Sequence, residues 1–190
     1  IRNGYIDYAV QGSNYGGAIY ASKGSLSITN SIFDTDAVSR AADNSYTYGG
    51  ALYLSALTAV ISDCVFTNCH VKSLFKSHGG GAITVVGASN VLIERSTFNK
   101  CFTVRQDEAN TPRNYGYGGA IQVDCANDKT NFTMRDCVID GSYARTNGGK
   151  GGVIYISGNK VTVNLDSVAI TRAGNKSIGA VFNHGNIYLV

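Results

Sequence analysis

The sequence predicts an all-β fold: a right-handed, single-stranded parallel β-helix of about six coils that makes residues 1–190 one domain. Three observations predict it. The first is a recurring Gly-Gly-Ala-aliphatic stretch: Gly16-Gly17-Ala18-Ile19, Gly49-Gly50-Ala51-Leu52, Gly80-Gly81-Ala82-Ile83, Gly118-Gly119-Ala120-Ile121 and Gly151-Gly152-Val153-Ile154, with a degenerate copy at Gly179-Ala180-Val181-Phe182. Self-similarity at a period of roughly 32 residues marks a repeat architecture. The second is an apolar ladder in the other half of each repeat. The third is composition: 23 Gly, 12 Tyr, 1 Pro and no Trp, with β-branched residues and Tyr filling the segments between turns.

The glycine-rich strand comes first in each repeat. A corner with positive φ, or with no room for a Cβ, selects Gly, and stacking coil on coil repeats that demand. No helical pattern follows the glycines, so they do not read as a phosphate-binding loop. After the corner, Ile19, Leu52, Ile83, Ile121, Ile154 and Val181 should form one inward ladder. Tyr20, Tyr53, Thr84, Gln122, Tyr155 and Phe182 should point outward.

The apolar half follows. It aligns Ile1, Ile28, Ile61, Ile93, Met134 and Leu165 as a second ladder, and Ile6, Phe33, Phe66, Phe98, Ile139 and Ile170 as a third. Period-2 alternation marks half-buried strands. The step between the two ladders flips the parity, which places a bend near Asn30, Asp63, Arg95 and Asp136. Two short strands, a corner, a loop and the glycine-led strand give three strands per repeat.

These residues carry a resemblance. The GGA[ILV] stretches, each followed by a hydrophobic strand pair, resemble the polymorphic outer-membrane-protein repeats of bacterial autotransporter adhesins, and more broadly the right-handed β-helix surface proteins of bacteria and protists. The F-x-x-N motif of that family is not matched: its fourth position is Asp36, Cys69, Cys101 and Ser142. The resemblance implies a β-helix and an extracellular, cell-surface setting.

The segments leading into each glycine pair (37–48, 70–79, 102–117 and 141–150) vary in length, and insertions confined to one edge mark a binding face. Tyr46, Tyr48, Arg105, Arg113, Tyr115, Tyr117 and Arg145 on that edge are the candidate binding residues, for a cell-surface glycan or a protein. Cys69 and Cys101 share a ladder position in adjacent coils, within reach of a disulfide; stacked buried thiols are the other reading. Cys64 and Cys137 read as buried small hydrophobes. Asn131-Phe132-Thr133 and Asn175-Lys176-Ser177 are N-glycosylation sequons, at Asn131 and Asn175.

Other classes fit less well. The net charge of +3 shows no concentrated basic stripe of the kind nucleic acid selects. No apolar run approaches the ~18 residues of a membrane-spanning helix. No Cys/His spacing suggests a metal, and no cofactor is implied. The carboxylates are scattered, His78 and His184 lack a catalytic neighbour, and Asp107 and Glu108 diverge on an extended chain, so no catalytic residues are assigned. A chain that starts on Ile1 reads as a processed or truncated product, a piece of a longer β-helix or a protomer of an assembly. The expectation is a non-catalytic extracellular structural or adhesive protein that self-associates end to end into a filament or laterally. A polysaccharide lyase or hydrolase, or its inactive remnant, is the alternative.

Overall fold

A computed structural model describes residues 5–7, 14–40, 46–73, 78–87, 89–105, 116–125, 128–145, 151–175, 181–183 and 186–189. It is an all-β parallel solenoid of about four turns. Every strand pairing is parallel, and each joins a strand to its counterpart one turn away.

Five sheets run along the axis. Sheet 1 holds Asn14–Tyr15, Thr47–Tyr48, His78–Gly79 and Gly116–Tyr117. Sheet 2 is the glycine-led sheet: Ile19–Ser22, Leu52–Ser55, Ile83–Val86, Ile121–Asp124, Ile154–Ser157 and Val181–Asn183. Sheet 3 holds Ser25–Thr29, Thr58–Ser62, Asn90–Glu94, Thr130–Arg135, Val161–Asp166 and Asn186–Leu189. Sheet 4 holds Ile32–Asp34, Val65–Thr67, Thr97–Asn99, Val138–Asp140 and Ala169–Thr171. Sheet 5 holds Tyr5–Asp7, Ala37–Arg40, His70–Ser73, Phe102–Arg105, Tyr143–Arg145 and Gly174–Asn175.

A turn therefore has five strands, not three. The two extra ones, in sheets 5 and 1, lie in the segments read from sequence as variable loops. They are two to four residues long, too short for alternation to show.

Left-handed corners separate the sheets. Between sheets 3 and 4 the corner residues are Asn30, Asp63, Arg95, Asp136 and Ser167, all with φ of 46–55°. Between sheets 4 and 5 they are Thr35, Asn68, Lys100, Gly141 and Arg172. A left-handed residue other than Gly costs roughly 1–2 kcal/mol. Here each corner N–H donates to the next turn: Asn30 to Ser62 O at 3.1 Å, Asp63 to Glu94 O at 3.1 Å, Arg95 to Arg135 O at 3.0 Å. A net ~1 kcal/mol per hydrogen bond offsets most of the strain.

The glycine pair has two separate causes. Gly49 has φ +65°, and an added Cβ would strike Leu52 O of its own strand. Gly50 has ordinary φ, but its Cβ would strike Gly81 O of the next turn.

The core ladders are in register. Ile28, Ile61, Ile93, Met134 and Leu165 stack in sheet 3 and continue to Leu189. Phe33, Phe66, Phe98, Ile139 and Ile170 stack in sheet 4. The three Phe rings lie face to face at 4.7 Å centroid spacing, 3–4° from parallel. Ile19, Leu52, Ile83, Ile121, Ile154 and Val181 stack in sheet 2. Ile6 is a correction: it pairs with Val38 in sheet 5, not with Phe33. Its I-x-x-G-x-I spacing imitated the sheet 3 to sheet 4 step by coincidence. Ile1 lies outside the described residues.

Candidate functional site: the tyrosine face

Sheets 1 and 2 bring together two sets of tyrosines that the sequence had kept apart. Alternation turns Asn14 and Thr47 inward, where both are buried. Their neighbours Tyr15, Tyr48, Gly79 and Tyr117 then form one outward ladder. The outward ladder of sheet 2 runs beside it: Tyr20, Tyr53, Thr84, Gln122 and Tyr155.

In the first two turns the rings pack on one another. Tyr20 and Tyr53 stack at 5.3 Å, Tyr15 lies 4.5 Å from Tyr53, and Tyr46 stacks on Tyr48 at 5.9 Å. Tyr20 remains 57% exposed and Tyr46 43%. In the later turns Tyr117 stacks on Tyr155 at 4.4 Å. Burial pushes the Tyr48 and Tyr53 phenols well above their ordinary range, and the nearby Asp124 carboxylate adds to it.

Between the two ring groups the ladder changes. Gly79 carries no side chain where Tyr48 and Tyr117 carry rings. The Gln122 side chain lies over it, with Oε1 at the place a Gly79 Cβ would take. Gln122 Nε2 faces Asp124 Oδ2 at 3.5 Å, so the amide orientation follows from the carboxylate. Gln122 and Thr84 are fully buried. Thr84 Oγ1 donates to Gly79 O at 3.0 Å, whereas Gln122 Oε1 has no hydrogen-bond partner. Asp124 is half-buried, and desolvation raises its pKa against hydrogen bonds from Ser157 and Gln122. At Thr84, Gln122 and Tyr155 the outward position of sheet 2 is thus buried rather than solvated.

No family model, curated protein or solved structure matches the chain.

Of the residues picked from sequence, Tyr46, Tyr48 and Tyr117 lie on this face. Arg105 and Arg145 end strands of sheet 5, at neighbouring rather than equal ladder positions: Arg105 pairs with Ser73, Arg145 with Val104. Arg113, Tyr115, His184, Asp107 and Glu108 lie outside the described residues. Asn131 is exposed on the outer face of sheet 3, its Nδ2 donating to Asn90 Oδ1 at 2.8 Å; Asn175 ends a strand of sheet 5. Gln122 and Asp124 were missed as a pair. Their signal was the i, i+2 spacing of two polar residues on a strand whose ladder neighbours are rings.

Cys69 and Cys101 occupy adjacent turns as expected. In this structure both are free thiols. Cys69 Sγ donates to Phe33 O at 3.4 Å and Cys101 Sγ lies 3.6 Å from Phe66 O, so each thiol points at the strand of the preceding turn. Contact with Cys101, together with burial, holds the Cys69 thiol far above its ordinary range. Among the described residues no group of three or more His, Cys, Asp or Glu could hold a metal. No helix there is long and apolar enough to cross a membrane.

Proposed function

We propose that this chain is an extracellular structural or adhesive β-solenoid, wound right-handed with about six coils, whose tyrosine face contacts a partner. The observation that carries the reading is the exposed ring group of Tyr20 and Tyr46, held by stacking on Tyr53 and Tyr48. Rigid aromatic side chains lose little entropy on contact and supply large amphipathic area. The described surface carboxylates favour a non-catalytic role. Asp63 pairs with Arg95, Asp166 with Arg135, and Asp140 with Arg172, which binds turn to turn rather than lining a groove, and Glu94 pairs with its chain neighbour Arg95. End-to-end stacking into filaments and glycans at Asn131 and Asn175 belong to the same proposal.

The test is adhesion. Wild-type protein on beads should bind a panel of cell surfaces, and Tyr20→Ala with Tyr46→Ala should lose most of that binding at unchanged melting temperature. Equal binding by the double variant would remove the tyrosine face from the proposal. Electron microscopy of the native material reads out filaments, and discrete short particles would sink end-to-end stacking.

Asp124 favours a second reading, a polysaccharide-cleaving enzyme. A half-buried carboxylate with a raised pKa suits a general acid. Glycoside hydrolysis needs a second carboxylate facing it. Release of reducing ends from a polysaccharide panel, lost in Asp124→Asn, would establish that reading.

A further inference from the structure

We propose that the tyrosine face is an oxidative coupling site, at which Tyr20 and Tyr46 join two copies of this chain through dityrosine bonds. The proposal rests on the structural reading above. It names the partner of that face, a second copy, and the bond that holds it.

Rings of this face meet in one unbroken cluster. Tyr46 lies 5.9 Å from Tyr48, Tyr48 6.1 Å from Tyr15, Tyr15 4.5 Å from Tyr53 and Tyr53 5.3 Å from Tyr20, centroid to centroid. An electron lost from one ring can be replaced from its neighbour, so the radical settles where a phenol can shed its proton. Tyr20 and Tyr46 are the exposed rings of the cluster and hand that proton to water. Tyr48 and Tyr53 are half-buried, and burial resists loss of their phenol protons. Geometry then decides which rings can bond. A dityrosine bond joins a carbon beside each phenol oxygen and leaves each ring at its edge. Tyr20 is 7° from parallel with Tyr53, and Tyr46 is 7° from parallel with Tyr48. Each exposed ring thus shows its stacked neighbour a face, and coupling within either stack would require the rings to leave it. A ring from outside the chain meets an edge instead. A second copy brings the same two phenols on the same face, the self-complementary contact of a two-fold dimer. Tyr15 meets Tyr53 at 43° and Tyr20 at 49°; a bond there would stay within one chain and is the competing product.

The oxidant is hydrogen peroxide, used through a separate haem peroxidase. Each phenol gives up one electron and its O–H proton to become a phenoxyl radical. The peroxide O–O bond breaks, takes up the two electrons and two protons, and leaves as two waters. The two radicals join through their ring carbons, and the hydrogens on those carbons move to the phenol oxygens as the rings regain aromaticity. The product is two chains less two hydrogens, linked by one carbon–carbon bond.

The experiment exposes the folded protein to hydrogen peroxide and a haem peroxidase. Covalent dimer is read on a denaturing gel, dityrosine by its fluorescence, and the bonded residues by mass spectrometry of the digested dimer. Wild type should give a covalent dimer whose bonds map to Tyr20 and Tyr46. Tyr20→Phe and Tyr46→Phe keep the stacked rings and remove the phenol oxygen. Each should lower the dimer yield, and the double variant should lose most of it at unchanged melting temperature. Tyr143→Phe, half-buried on sheet 5, should leave the yield as it is. No covalent dimer from wild type, fluorescence confined to the monomer band, bonds at other tyrosines, or a wild-type yield from the double Phe variant would each overturn the proposal. Adhesion lost in Tyr20→Ala with Tyr46→Ala, with no covalent dimer from oxidised wild type, would keep the adhesive reading and discard the coupling.

Discussion

At the scale of single residues, positive φ does not by itself make a glycine irreplaceable. Gly49 and Gly87 both adopt it, at +65° and +68°. A Cβ on Gly49 meets backbone, whereas a Cβ on Gly87 meets Ala56 at 3.3–3.6 Å. Ala56 itself has φ +51° at the equivalent corner. Gly87→Ala should therefore cost no more than about 1–2 kcal/mol. Gly50→Ala should cost more, several kcal/mol or failure to fold, because its Cβ meets the carbonyl of the next turn and the turns would have to part. Urea midpoints of the two variants check the contrast. His70 gives a pH test. Desolvation lowers its pKa, although its Nδ1 lies 2.9 Å from Asn68 O. The unfolded state then binds the extra proton, so stability is complete above about pH 6.5 and falls below it. His70→Phe, which keeps the stack on Phe102 at 4.6 Å, should flatten that fall in thermal melts taken from pH 7 to 5. The five cysteines are buried as free thiols, and burial pushes Cys125 up to about 11. None should react with a thiol reagent at pH 8 in the folded protein, and all five should react in denaturant. Three reacting thiols would instead mean a Cys69–Cys101 bridge.

At the scale of elements, the ladder is the unit. Phe66 sits between Phe33 and Phe98 with no exposed surface. Phe66→Ala removes two ring contacts at once and should cost about 3–5 kcal/mol, read as a shift in the urea midpoint. The corner ion pairs behave differently. Asp140 is held down to about 2 by Arg172 and Thr171, so its contribution is present above about pH 4 and is lost as pH falls toward 2. The pair lies at the surface, with the Arg172 side chain 70% exposed, so solvent screens it and Asp140→Asn should remove only a small part of the acid sensitivity followed by circular dichroism. The three apolar ladders were legible in the sequence because one inward side chain per turn repeats with little freedom of choice. Ile6 misled, since three matched spacings in six residues arise by chance where the repeat begins. The five-sheet cross-section was not legible, because strands of two to four residues carry no periodicity. Asp124 and Gln122 were not legible either. Gln122 lies over Gly79, 43 residues earlier in the chain, and only stacking brings the two together.

At the scale of the whole molecule, every pairing joins residues one turn apart in the chain, so the fold has almost no local contacts to begin from. Such topologies fold in milliseconds to seconds rather than microseconds, and stopped-flow refolding should show this. Stability should also be graded along the axis, since each turn touches only its neighbours. Hydrogen exchange should be slowest in sheet 3 around Asn90–Glu94, which is paired on both sides.

The register of this cylinder does not depend on the length of chain between sheets 5 and 1. Segments 41–46, 74–77 and 106–115 differ in size, yet the strands on either side keep their pairing residue for residue. That corner works as a socket. Foreign sequence spliced between Arg105 and Gly116 would be held at a fixed height on the shaft, beside the tyrosine face, while the shaft itself stayed the same. Lineages descended from such a chain could exchange what they display there without having to reinvent the rod that carries it.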